Sequence, residues 1–275
     1  MTQRVVLIGK PLKRKHSAVM HNAAFAAAGI DATYEAMELE PDDIAGFVAR
    51  VRDEPDWLGL QVTAPYKKVV AGLVDEVEPD AEQIGAVNSV AKTADGRLVG
   101  FNTDAPGFRV AVTQAIGRPL QGIDAVVAGA GGAAHAVVFA LRQAGVRRLA
   151  VANRSLPATV VGQQAIALDG TDFLTALRSA DLAVNATSVG MIDEGATIPV
   201  DELPPHATVF DLVYVPPQTP LLAAARARGL RAANGEEMLV AQAAIAFERW
   251  TGVSGMADVM REAAGPLFAD AAAHA

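Results

Sequence analysis

A few short polar clusters hold the residues of this chain that could do chemistry. Gln61-Val62-Thr63-Ala64-Pro65-Tyr66-Lys67 sets a hydroxyl and an amine four residues apart behind an apolar run. Ala86-Val87-Asn88-Ser89 adds a carboxamide and Asn102-Thr103-Asp104 a carboxylate. An amine that exchanges a proton with an alcohol, beside a carboxylate that orients it, is a general acid–base pair. Each cluster alone also has an ordinary structural reading: a solvated lysine, a strand-capping asparagine, an aspartate that starts a helix.

Val126-Val127-Ala128-Gly129-Ala130-Gly131-Gly132-Ala133-Ala134 carries a second signal, an apolar strand turning through glycines into a helix. In that context G-x-G-x-x-G/A marks a dinucleotide site. Gly129 permits the tight turn, Gly131 lets the backbone approach a pyrophosphate, and Ala134 is small enough for close helix–strand contact. The helix start at Gly132-Ala133 then offers free N–H groups and a partial positive charge to phosphates. The next strand ends Val151-Ala152-Asn153-Arg154-Ser155. Asn153, 22 residues past Gly131, stands where an NAD site carries an acid for the ribose. Arg154 and Ser155 suit a 2′-phosphate instead, which favours NADP, with NAD as a weaker or alternative cofactor.

These clusters need elements to position them. Val5–Ile8, residues 32–38 and Trp57–Val62 read as strands separated by helices from Ser17 to Ala28 and from Pro41 onward, with Ser17 a candidate cap. Val87–Ala91 and Arg97–Val99 form a hairpin around Ala94-Asp95-Gly96 that would add an antiparallel edge. A second unit opens with the helix Asp104–Ile116 and continues through strands at 125–128, 149–152, 182–186 and 208–212. After Gly235 the pattern is helical, Glu236–Thr251 and then Met256–Ala264. The expected fold is α/β in two domains. Residues 1–103 with 236–275 form a substrate domain of mostly parallel sheet completed by C-terminal helices, and residues 104–235 a Rossmann-like dinucleotide-binding domain.

Composition sets the outer limits. Lys plus Arg is 23 against 31 Asp plus Glu, a net charge of −8, which argues against nucleic acid or an anionic membrane as partner. The basic cluster Lys10, Lys13, Arg14 and Lys15 is the one local exception. With no cysteine, thiol nucleophiles and Cys-ligated metal are excluded, no metal site is expected, and redox chemistry requires a borrowed cofactor. The most apolar stretch, Ala125–Leu141, is interrupted by three glycines and His135 and is shorter than a membrane span. Met1–Ile8 lacks the basic-then-apolar pattern of a secretory signal, so a cytoplasmic protein is expected.

Taken in order, the clusters resemble the shikimate dehydrogenases over nearly the whole chain. The carrying motifs are Val62–Lys67, Gly85–Asn88, Asn102–Asp104, Gly129–Ala133, Asn153–Ser155, Asn185-Ala186-Thr187-Ser188-Val189-Gly190-Met191, Asp211–Tyr214, Thr219–Leu222 and Gly235–Gln242. The resemblance implies NADP-dependent, reversible interconversion of shikimate and 3-dehydroshikimate, with Lys67 catalytic and Asp104 its partner. It implies that Ser17, Thr63, Asn88, Asp104, Tyr214 and Gln242 surround a small ring hydroxy acid. Gly129, Ala130, Gly131, Gly132 and Ala133 would hold the pyrophosphate, Asn153, Arg154 and Ser155 the adenosine phosphate, and Thr187, Ser188, Met191 and Gly235 the rest of the cofactor. A monomer or a homodimer is expected.

Four positions depart from the family pattern. Lys15 stands where a hydroxyl residue is usual, and it either pairs with the substrate carboxylate beside Ser17 or selects another acid. Gln61 replaces an asparagine, Ala105 a glycine, and Ala158 a second basic residue near the cofactor phosphate. These leave a quinate or aminoshikimate dehydrogenase as one alternative, and a non-catalytic dinucleotide-binding regulator as another.

Overall fold

The computed structural model describes residues 2–12, 15–191 and 195–273, so Lys13 and Arg14 of the basic cluster lie outside the described residues. The chain divides into two compact units, Met1–Asp104 with Val240–Gly265, and Ala105–Leu239 with Pro266–Ala275.

The first unit runs β1 (Gln3–Gly9), α1 (His16–Ala27), β2 (Ala32–Glu38), a 3-10 turn at Pro41–Asp43, α2 (Ile44–Asp53) and β3 (Trp57–Val62). It continues with α3 (Lys67–Ala71), β4 (Glu76–Val77), α4 (Pro79–Ile84), β5 (Ser89–Lys92) and β6 (Leu98–Phe101). The sheet order is β2-β1-β3-β5-β6-β4. β1 pairs in parallel with both β2 and β3, and the β5–β6 hairpin joins antiparallel to β3. The hairpin is not the edge, because the two-residue β4 pairs outside β6. The strand order reverses between β1 and β3, with β2 added on one side of β1 and β3 on the other, and such a switch point opens a crevice at the carboxyl ends of the strands. α2 packs its apolar stripe Ile44, Phe47, Val48 and Val51 against Val6, Ile8, Leu60 and Val62.

The second unit runs α5 (Asp104–Ile116), β7 (Asp124–Ala128), α6 (Gly132–Gln143), β8 (Arg148–Asn153), a small hairpin β9 (Thr159–Val160) and β10 (Gln163–Gln164), and β11 (Ile166–Ala167). Then come α7 (Thr171–Leu177), β12 (Leu182–Asn185), β13 (Thr208–Asp211), α8 (Pro220–Ala227) and β14 (Arg231–Ala233). Its six-stranded sheet is all parallel, in the order β11-β8-β7-β12-β13-β14. Counted from β7 this is 3-2-1-4-5-6, the doubly wound dinucleotide-binding order. β7 is buried along its whole length, as a central parallel strand must be.

Two helices close the chain, α9 (Glu236–Thr251) and α10 (Ala257–Ala273). The tail is shared between the units, where a single substrate domain was expected to take all of 236–275. Glu236–Leu239 group with the second unit, as does Pro266 onward. Asn234 accepts the backbone N–H of Glu236, and Phe268 meets Tyr214 edge-on at 6.2 Å between centroids. α10 runs through Pro266 well beyond the expected end at Ala264. Ser17 is not a cap: Lys15 holds that position and Ser17 lies inside the first turn of α1.

Candidate active site

Strand ends bring the first polar group together. Past Val62 the chain stays beside β1, with Thr63 N–H donating to the Ile8 carbonyl at 2.9 Å and Lys10 N–H to the Ala64 carbonyl at 3.2 Å. Gly9 makes this approach possible, since a Cβ there would lie 2.3 Å from the Thr63 methyl. α3 then starts at Lys67, whose Nζ donates to Asp104 Oδ2 at 2.6 Å. Neither side chain is more than one-fifth exposed. Asn88 Nδ2 donates to Asp104 Oδ1 at 2.8 Å and to Thr103 Oγ1 at 3.0 Å, while Thr103 N–H donates back to Asn88 Oδ1. Both carboxylate oxygens of Asp104 are thus occupied, so its plane is set and with it the direction of the lysine.

The network extends inward. Thr103 Oγ1 lies 3.3 Å from Gln242 Oε1, which also accepts from Gln61 Nε2 at 2.7 Å. Gln61 Oε1 in turn accepts the Tyr34 hydroxyl at 2.5 Å. Gln242 is only 5% exposed, so this α9 residue faces the interior rather than solvent. Burial pushes the Tyr34 phenol well above its usual range, with a hydrogen bond from Ser17 opposing. His21 stacks on the Tyr34 ring at 4.4 Å, and burial drives its imidazole down to about 3 against the pull of Gln61, so it is neutral at ordinary pH.

The second unit builds its own site at its switch point between β7 and β12. Gly129 has φ +117, and a Cβ there would lie 2.8 Å from the Ala186 carbonyl oxygen, so only glycine fits. Gly131 and Gly132 differ, because a Cβ on either would meet nothing in the protein within 4 Å. Protein packing does not require these glycines, but a ligand seated on the start of α6 would. On that test the loop fits a pyrophosphate. Beyond it, Asn185 Oδ1 accepts from the N–H and hydroxyl of Thr187, and its Nδ2 donates to Asp211 at 2.9 Å. Asp211 also accepts from Thr219 Oγ1 at 2.6 Å and from Val213 N–H. This buried carboxyl is raised by desolvation, with its three donors opposing. It ties together the loops that carry Thr187, Ser188 and Met191 on one side and Tyr214 on the other. Gly235 presses on the Leu212 carbonyl, 2.3 Å from where a Cβ would sit. Asn153 Nδ2 donates to the Ser155 carbonyl at 2.8 Å, shaping a turn that leaves Arg154 and Ser155 exposed.

A family model described as the shikimate dehydrogenase substrate binding domain matches residues 7–90, and one described as the shikimate 5′-dehydrogenase C-terminal domain matches residues 235–264. The shikimate dehydrogenase (NADP(+)) of Methanopyrus kandleri is 41% identical over 276 residues, covering 95% of this chain and 94% of that one. The chain belongs to the shikimate dehydrogenase family. The shikimate dehydrogenase (NADP(+)) of Symbiobacterium thermophilum is also 41% identical, over 94% and 92% of the two chains. A solved structure of shikimate 5-dehydrogenase from Thermus thermophilus, in complex with NADP(H) and shikimate, matches with a TM-score of 0.85 at 39% identity, over 96% of this chain and 99% of that one.

Within the first unit, one hydrogen-bonded set holds Lys67, Asp104, Asn88 and Gln242, with Ser17 joined to it through Tyr34. Thr63 is half-buried at the end of β3, and Lys15 is exposed at the start of α1. Lys10, from the same basic cluster, is drawn off to Glu40 on the surface. Tyr214 lies in the second unit, half-buried against Phe268. Three members of the set carried no expected role: Tyr34, Gln61 and Thr103. Thr103 and Gln61 sit inside the motifs already singled out. Tyr34 had no signal beyond being an aromatic in a short strand. Among the described residues no group of three or more His, Cys, Asp or Glu could hold a metal ion, and no helix is long and apolar enough to cross a membrane.

Proposed function

We propose that this chain is an NADP-dependent shikimate dehydrogenase, reversibly interconverting shikimate and 3-dehydroshikimate. The observation that carries the reading is the Lys67–Asp104 pair at 2.6 Å, locked from behind by Asn88 at the carboxyl end of the β1–β3 switch. When bound, the nicotinamide supplies the hydride acceptor in one direction and the donor in the other.

The chain's own residues handle the proton and the fit. Lys67 Nζ takes the proton of the reacting hydroxyl during oxidation and returns it during reduction. Asp104 aims Lys67 and Asn88 aims Asp104, so the reacting group is positioned before substrate arrives. Gln242, Thr63 and Ser17 supply hydrogen bonds to the other hydroxyls and the carboxylate, with Tyr214 a further contact. Lys15 stands one residue outside α1 and adds a cation for the same carboxylate. Gly129–Ala133 hold the pyrophosphate, Asn153–Ser155 the adenosine phosphate, and Thr187, Ser188, Met191 and Gly235 the remainder. The reading keeps a monomer or a homodimer and implies a cytoplasmic setting with no nucleic-acid or membrane partner.

Purified protein with NADP and shikimate should raise the reduced-nicotinamide absorbance, and Lys67→Ala should abolish that rise. Protein that is inert with shikimate but turns over quinate or aminoshikimate would move the substrate assignment to that acid. Nucleotide binding by calorimetry without turnover of any of the three would bring forward the non-catalytic regulator.

A further inference from the structure

Gln242 is a substrate contact of a shikimate dehydrogenase site, and the residues packed behind it aim its amide. A carboxamide has two chemically opposite ends on one rotating plane, so which end faces the substrate depends on what holds the other. Gln242 Oε1 is held by two donors, Gln61 Nε2 at 2.7 Å and Thr103 Oγ1 at 3.3 Å. Gln61 donates because its own Oε1 is already taken by the Tyr34 hydroxyl at 2.5 Å. Thr103 Oγ1 accepts from Asn88 Nδ2 at 3.0 Å, and its one hydrogen has Gln242 Oε1 at 3.3 Å and Asn88 Oδ1 at 3.4 Å as acceptors, the former the nearer. The polarity of the row is therefore set at Tyr34, and the Thr103 end is compatible with it.

Tyr34 is well placed to start it. Its phenol is buried and stays protonated, so it has one hydrogen to give. Its ring is clamped against His21. β2 is an edge strand, yet both backbone groups of Tyr34 are satisfied from α1. Tyr34 N–H donates to Asn22 Oδ1 at 2.8 Å, and Asn22 Nδ2 donates to the Tyr34 carbonyl at 2.9 Å. A ring fixed by stacking, on a backbone fixed by two side-chain bonds, delivers its hydroxyl hydrogen in one direction.

We infer that Tyr34, acting through Gln61, is a positioning residue that sets the Gln242 amide with its oxygen toward Gln61 and Thr103 and its N–H donors on the opposite side, so that Gln242 reads an oxygen acceptor of the ring acid. This rests on the shikimate dehydrogenase reading for the identity of the substrate. It also gives Gln61 a role of its own. The asparagine usual at this position is one methylene shorter, whereas the longer side chain here bridges Tyr34 and Gln242.

Tyr34→Phe removes the hydroxyl and keeps the ring. The expected result is a rise of about five- to tenfold in the shikimate KM, the size of one lost and one misdirected hydrogen bond, with the NADP KM within about twofold. On a Gln242→Ala background the same change should cost nothing further, because the group it acts through is gone. The same factor on both backgrounds, or an unchanged shikimate KM, overturns the proposal. Gln61→Met, which keeps the bulk and deletes the bridge, repeats the measurement if Tyr34→Phe folds poorly, and it should show the same dependence on Gln242.

A substrate-free readout separates this proposal from the functional reading. In nitrogen-15 spectra the side-chain amide signals of Gln242, assigned by their loss in Gln242→Ala, should shift in Tyr34→Phe and in Gln61→Met. Unmoved signals overturn the relay even where wild type oxidises shikimate. Shifted signals in a wild type inert with shikimate sustain the relay and overturn the substrate.

Discussion

Asp104 spends one carboxylate oxygen on Lys67 and the other on Asn88, so an amide at 104 would fail in a specific way. Its oxygen could still accept from Asn88, but its NH2 would then face the lysine, donor against donor. Asp104→Asn is therefore expected to lower kcat at least about a hundredfold, the scale of a mispositioned acid–base group, with the NADP KM within about twofold; steady-state kinetics read both. On the cofactor side Arg154 is the charged residue of an exposed turn, and Ala158 beside it has no charge. Arg154→Ala should raise the NADP KM by about ten- to a hundredfold, the worth of a hydrogen bond to a charged group, and leave NAD turnover nearly unchanged. Wild type should itself use NAD measurably, at an NADP preference below about a thousandfold in kcat/KM. Lys67, Asp104 and Asn88 were legible as candidates because their types and order carry the chemistry, and Gln242 through the family resemblance of its motif. Tyr34 was not, because a tyrosine's hydroxyl acquires meaning only when strand pairing and a neighbouring helix decide what it faces.

At the scale of elements, the β7–α6 turn separates what the fold needs from what the cofactor needs. Gly129 is held at φ +117 against the Ala186 carbonyl, whereas Gly131 has an ordinary φ of −80 and open space around a Cβ. Gly129→Ala should cost stability and cofactor affinity together. Gly131→Ala should melt within about 2 °C of wild type, as a side chain added in open space does, yet raise the NADP KM at least about tenfold by crowding the phosphates. Differential scanning fluorimetry and cofactor titration distinguish the two; a normal NADP KM in Gly131→Ala would remove this loop from the cofactor site. β7 was readable because a central parallel strand buried on both faces is a continuous apolar run. β2, β3, α5 and α9 match their expected limits for similar reasons of period and punctuation. β4 has two residues and exists only because β6 is there to pair with. The β9–β10 hairpin turns on Val161 in a left-handed conformation, which a valine gives no local reason to expect. α10 passes a proline that sequence rules treat as a stop, and Phe268 beyond it is anchored on Tyr214.

Across the whole molecule, the buried groups with the opposing pH signs lie in different units: a lowered histidine in the first and raised carboxyls in the second. In the first unit His21 is held near 3 when folded against about 6.5 when unfolded. The unfolded chain therefore binds the extra proton between those values, and stability falls as pH drops through that window by about 1.4 kcal/mol per unit from this residue. In the second unit Asp211 and Glu236 are raised by burial. There the folded chain binds the proton first, so stability rises as pH falls from above their raised values toward the ordinary carboxylate range. The lowered carboxyls, Asp75 in the first unit and Asp124 and Asp181 in the second, stabilise at and above their ordinary value and lose that contribution only at lower pH. Between about pH 6.5 and 4.5 the first unit should thus loosen while the second holds or tightens. Native-state hydrogen exchange at several pH values, corrected for intrinsic exchange and read segment by segment, measures this directly. Protection in α1, β2 and the Val240–Thr251 part of α9 should fall with pH, and protection in β12 and β13 should not. His21→Phe keeps an aromatic ring against Tyr34 and removes the proton site, so it should abolish most of the fall in the first unit. An equal decline in both units, or a decline that survives His21→Phe, would place the pH sensitivity elsewhere in the chain.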